Sequence, residues 1–130
     1  MVKFGYTILY VQDVAKAITF YESAFGFSRK FITPENDYGE LATGDTTISF
    51  ASHTLANTNL REGFIESDLN HKPFATELGF ITEDVAKVVE LALQYGATEV
   101  SAPQQKPWGQ TVAYLRDLDG FLIEICTPMG

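Results

Sequence analysis

The chain is short of several things, and each shortage removes a class of function. It has one cysteine, Cys126, in 130 residues. No internal disulfide can form, which fits a reducing, cytoplasmic setting. Basic residues are scarce: 9 Lys and Arg stand against 17 Asp and Glu, giving a net charge of −8 and a pI near 4.6. No basic stripe exists to replace phosphate counterions, so nucleic acid is not expected as a partner. No apolar run approaches the ~20 residues of a membrane span, so no membrane partner is expected. The stretch "MVKFGYTILYV" has a single Lys and no small-residue cleavage site, so no signal peptide is expected. Gly-rich phosphate loops, a nucleophile elbow and a Cys–His pair are all missing from the sequence.

What is present is repetition. "DVAK" occurs at 13–16 and again at 84–87. A strand-like run precedes each copy and a helical pattern follows it. Val14, Ala17, Ile18, Tyr21 and Phe25 fall on one helical face; Val85, Val88, Val89 and Ala92 fall on another. Asp13 and Asp84 stand where an N-cap belongs, and Gly26 and Gly96 where a helix should stop. The copies lie about 71 residues apart. Downstream, each helix precedes three short strand-like runs parted by turn residues: Asn36-Asp37 and Gly44-Asp45 in the first copy, Pro107-Trp108-Gly109 and Asp119-Gly120 in the second. The expected fold is therefore α+β, two βαβββ modules forming a cup-shaped mixed sheet in one domain. Module one covers 1–52, an insertion 53–73, and module two 74–130. The insertion is long for a structureless connection, so it reads as a lid or a mobile segment.

Strand parity selects the side chains that face away from the helices. In the last strand Phe121, Ile123 and Ile125 belong to the core, leaving Leu122, Glu124 and Cys126 opposite. In the fourth strand Ile48 and Phe50 leave Thr47, Ser49 and Ala51 opposite. The first strand of each copy puts Tyr6, Ile8 and Tyr10, or Glu77, Gly79 and Ile81, on that face. The repeat aligns Tyr6 with Glu77, and Ser49 with Glu124. In a curved cup these four would converge, and a concave site with a few polar groups is the ordinary place for a ligand.

At these residues the sequence resembles the vicinal oxygen chelate superfamily, which contains glyoxalase I, extradiol dioxygenases and bleomycin-resistance proteins. The resemblance covers nearly the whole chain. It rests on "YTILYVQDVAKAITFYESAFGF", "ELGFITEDVAKVVELALQYGA" and "KPWGQTVAYLRDLDGFLIEI". It implies that Tyr6, Ser49, Glu77 and Glu124 occupy the places where metal-dependent members hold His, Gln or Glu ligands. It also implies a homodimer. Only Glu77 and Glu124 are strong metal donors, and no imidazole is present at any of the four places. No cofactor is therefore favoured. A divalent cation held by Glu77 and Glu124 is the minority expectation.

Other residues have two readings each. Glu77 and Glu124 form either an acidic pair that fixes a ligand, or a relic in which Glu124 bonds to Tyr6 or Ser49. Trp108 either stacks on a planar ligand or covers the end of a sheet. Arg116 is expected to pair with Asp117 or Asp119. Tyr38 and Phe64 are further aromatic candidates for ligand contact. His53 and His71, at the ends of the insertion, read as exposed loop residues. The leading function is metal-independent binding of a small organic molecule, cationic or aromatic, in the manner of antibiotic-sequestering members. The competing one is a glyoxalase-type lyase or isomerase using Glu77 and Glu124.

Overall fold

Both expected helices begin on a carboxylate that accepts a free backbone N–H. Asp13 accepts from Lys16 at 3.0 Å, and Asp84 from Lys87 at 3.1 Å. The computed structural model describes residues 1–129. It contains β1 (Thr7–Val11), α1 (Val14–Phe25), β2 (Ser28–Ile32), β3 (Tyr38–Ala42), β4 (Thr47–Ser52), α2 (His53–Asn59), β5 (Leu78–Ile81), α3 (Val85–Gln94), β6 (Thr98–Gln105), β7 (Thr111–Arg116) and β8 (Leu122–Cys126). Helix α1 ends at Gly26, whose φ of 73° places it in the left-handed region.

The strands form two four-stranded mixed sheets, ordered β1-β4-β3-β2 and β5-β8-β7-β6. In each, the first and last strands of the module run parallel and the other pairs antiparallel. This is the expected βαβββ unit, present twice. The helix between the two parallel strands serves as the crossover that parallel pairing needs.

Each module has its own core. In the first, α1 buries Val14, Ala17, Ile18, Phe20, Tyr21 and Ala24. Tyr21 meets Phe50 of β4 with ring centroids 5.2 Å apart. In the second, α3 buries Val85, Val89 and Ala92, and Leu115, Ile123 and Ile125 are fully buried on β7 and β8. The residues expected to meet the helices are all core, Ile48 and Phe50 on β4, Phe121 just before β8, and Ile123 and Ile125 on β8, while Ser49, Ala51 and Cys126 of the opposite face are buried as well.

The segment 53–73 carries structure of its own. Its first part is α2, capped by the Ser52 hydroxyl, which accepts from Leu55 N–H at 3.1 Å. Helix α2 packs on β4 and β1. Phe64 then returns over Tyr10, centroids 4.8 Å apart. Its second part is fixed by Arg116. The guanidinium donates to the carbonyls of Gly120 at 2.9 Å and Asp68 at 3.0 Å. Residues to Glu66 form one compact unit and those from Ser67 the other, so the segment is divided between them. Among the described residues no helix is long and apolar enough to cross a membrane.

Candidate functional site

The open face of each sheet, away from its helix, holds the candidate polar residues. In the second module Glu124 of β8 is directly opposite Tyr114 of β7 on one side and Gly79 of β5 on the other. The Tyr114 hydroxyl donates to Glu124 Oε2 at 3.2 Å. The other oxygen, Oε1, lies over Gly79: a Cβ there would be 3.6 Å from it, so glycine leaves that side of the carboxylate open. Glu77 precedes β5 at the exposed end of the same face.

The electrostatics of this group are those of crowded anions. Burial, and then the charge of Glu124, raise the Glu77 carboxyl above the usual carboxylate range. The Tyr114 phenol is raised by burial, then by the charges of Glu77 and Glu124. The Cys126 thiol is raised by burial, then by its hydrogen bond to Glu124. Cys126 is therefore held as a thiol and is a poor nucleophile. Within its own sheet the partners of Glu124 are Tyr114 and Cys126.

In the first module Ser49 of β4 takes the place of Glu124. It is fully buried, and its Oγ makes no hydrogen bond. It lies beside the Tyr38 phenol without reaching bonding geometry. The Tyr38 hydroxyl instead donates to Glu40 Oε2 at 2.7 Å. Burial is the main cause that raises the Tyr38 phenol, with Glu40 adding to it and Ser49 opposing. Tyr6 stands half-exposed just before β1.

The remaining candidates scatter. Trp108 lies in the β6–β7 turn, where its Nε1 donates to Gln110 Oε1 at 2.8 Å. Gln110 Nε2 in turn donates to the Thr127 carbonyl at 2.8 Å. Trp108, Gly109, Gln110, Pro128 and Met129 line a shallow groove of about 390 Å³. Phe64 packs between Tyr10 and His53 and so belongs to the packing of the first module. His53 corrects an expectation: it is the first residue of α2, largely buried, with its Nε2 unpartnered and Nδ1 3.6 Å from Glu66. His71 is exposed as expected and bonds Asp68 at 2.8 Å.

Glu40 and Tyr114 were missed in the sequence. Parity would have found both. With Leu41 and Leu115 as core residues, their neighbours must face the open side.

The glyoxalase-like domain family matches residues 4–130. The chain belongs to that family. It is 29% identical over 128 residues to a lactoylglutathione lyase of Arabidopsis thaliana, covering 95% of this chain and 43% of that protein. It therefore spans less than half the length of this relative. A glyoxalase/bleomycin resistance protein/dioxygenase family enzyme from Burkholderia phytofirmans superposes with a TM-score of 0.79 at 25% identity, covering 97% of this chain and 98% of that one. A glyoxalase-related enzyme from Fulvimarina pelagi superposes with a TM-score of 0.82 at 17% identity, covering 98% and 89%. The second likeness is one of fold.

The family raises the question of a metal, and the donors present fit a first-row ion poorly. The four places hold a phenol, a hydroxyl and two carboxylates, with no imidazole. Tyr114 already uses one oxygen of Glu124. Among the described residues no three His, Cys, Asp or Glu side chains group as a metal would require.

Proposed function

We propose that this glyoxalase-like protein binds a small organic cation on the open face of its second module, without a metal. The observation that carries the reading is the Glu77–Glu124 pair. Glu77 is raised partly by the charge of Glu124, so the pair gains from an arriving positive charge. Tyr114 beside it supplies an aromatic surface, to which cations are also drawn. The ligand is an aromatic or alkyl ammonium compound, and the protein works as a homodimer in a reducing compartment. The test is a thermal-shift screen of such compounds and of divalent metals, run on the wild type and on Glu124→Gln, with metal analysis of protein purified without chelator. Ammonium compounds should raise the wild-type melting temperature, and the gain should shrink in the variant. Near-stoichiometric metal that disappears in Glu124→Ala would sink the proposal.

A second reading has its own observation. A carboxyl raised in pKa is suited to take up and return a proton, and Glu77 has that property. On this reading the protein is a lyase or isomerase that moves a proton beside a carbonyl, as the likeness to a lactoylglutathione lyase suggests. Turnover of glutathione adducts that is lost in Glu77→Gln would establish it over simple binding.

A further inference from the structure

After α2 the chain doubles back. The Leu60 N–H donates to the Ala56 carbonyl at 3.1 Å, and the Gly63 N–H to the Leu60 carbonyl at 2.9 Å. Gly63 has a φ of 75°, which suits glycine at the end of this turn. Residues 64–66 then return toward the start of the helix, and among the described residues no backbone–backbone hydrogen bond holds them. Side chains do. The Phe64 ring lies 4.8 Å from that of Tyr10 and 5.7 Å from that of His53. Glu66 Oε1 lies 3.6 Å from His53 Nδ1. All of these residues belong to the first compact unit.

His53 stands at the centre of this arrangement, and its surroundings suit only one charge state. Nε2 is sealed from solvent and has no hydrogen-bond partner. The neutral ring carries one proton. That proton belongs on Nδ1, beside the Glu66 carboxylate, because on Nε2 it would be a buried donor without an acceptor. A second proton has only Nε2 to occupy. It would leave an unmatched buried donor on a charged ring, which costs more than the same defect on a neutral one. Position opposes it too. His53 is the first residue of α2, where the free N–H groups already present positive charge. Glu66 returns little: it stands beyond hydrogen-bond reach, and its side chain is 56% exposed against 18% for His53, so water screens the pair. The neighbouring elements supply no other anion. Helix α2 packs on β1 and β4. The only titratable side chain of β1 is the Tyr10 phenol, and α2 and β4 hold none besides His53. Arg61 and Glu62 are exposed in the turn.

We infer that Leu60–Glu66 is a strap released by acid. With His53 neutral the strap is closed, and Phe64 lies against both His53 and Tyr10. A second proton on His53 demands an acceptor for Nε2, and water reaches it once Phe64 lifts away. Helix α2 keeps its cap at Ser52, so the chain beyond Asn59 moves while the helix stays. Release uncovers Tyr10 of β1. The device uses neither Glu77 nor Glu124, so it stands or falls independently of the function proposed above.

The test is NMR on ¹³C- and ¹⁵N-labelled protein from about pH 8 to about pH 5, the span in which histidine charge ordinarily changes. Nuclear Overhauser contacts between the Tyr10 and Phe64 rings should be present at the alkaline end and fade as pH falls. Their midpoint should match that of the His53 Cε1–H resonance, with the open population rising at least about tenfold. His53→Phe keeps a ring there and removes the second proton, so it should hold the strap closed throughout. Should that variant lose its dispersed spectrum, Phe64→Ala, which takes away the cover, should leave the amides of 65 and 66 unresponsive over the same span. Ring contacts that persist or strengthen while His53 gains its proton would overturn the inference. So would a strap that still opens in His53→Phe, or one that keeps its pH response in Phe64→Ala.

Discussion

The two modules share a backbone plan and differ in how they spend it. Leu41 and Leu115 are fully buried at equivalent points of β3 and β7. Ile8 opposite Ser49 corresponds to Gly79 opposite Glu124. Each open face holds a tyrosine bonded to a glutamate. In the first module the two lie on one strand, Tyr38 and Glu40, 2.7 Å apart. In the second they lie across strands, Tyr114 and Glu124, 3.2 Å apart. The carboxylate has moved from the third strand of the module to the fourth, and the position it left in each case holds a neutral side chain. The helix-facing side of each repeat is constrained by packing and so stays alike. The open side has no such constraint, and its chemistry has diverged.

The largest expected effect tests the shared side. Leu41→Ala and Leu115→Ala should each cost about 2–5 kcal/mol, measured by chemical denaturation. Similar losses would confirm that the two cores are equivalent. A loss below 1 kcal/mol in one module would break the equivalence.

The turns before β4 and β8 provide a sharper contrast. Gly44 and Gly120 both have positive φ, 102° and 89°. A Cβ at Gly44 would meet open space, whereas one at Gly120 would lie 2.8 Å from the Asp68 carbonyl and from Arg116 Nη2. Gly44→Ala should cost about 1–2 kcal/mol for its backbone alone. Gly120→Ala should cost more, since it also forces Arg116 off the carbonyls it holds. Equal melting temperatures for the two variants would show that Arg116 does not anchor the segment around Asp68.

The smallest effect concerns Glu77. Its raised folded-state pKa means that protonation favours the folded protein. That contribution is fully present below the ordinary value of 4.5 and is lost as pH rises through the raised one. Glu77→Gln should therefore match the wild type in acid and become more stable as pH approaches neutrality. The residue is exposed, so solvent screening limits the gain to about 0.3 kcal/mol. Denaturation midpoints across that window would show it. A variant less stable than the wild type at neutral pH would mean that the charge of Glu77 is compensated rather than opposed.

Much of the fold was legible in the sequence because its signals are local. Caps at Asp13 and Asp84, glycines at the turns and the apolar stripes of α1 and α3 depend on neighbours a few residues away. Strand parity separated Ile123 and Ile125 from Glu124 for the same reason. Helix α2 was not legible: with seven residues it is too short for periodicity to stand out. The partners of Glu124, Arg116 and Trp108 were not legible either. Each bonds across strands or turns, and which residues meet there depends on register.

By itself, then, the sequence determined a duplicated βαβββ chain and which side chains face away from its helices. Helix and strand periods are written directly into the order of residues. Only the tertiary structure decided that Glu124 bonds Tyr114, that Glu66 returns to His53, and that Ser49 is buried and unsatisfied. Those facts depend on strand register and on what covers each side chain, and both arise from contacts between residues far apart in the chain.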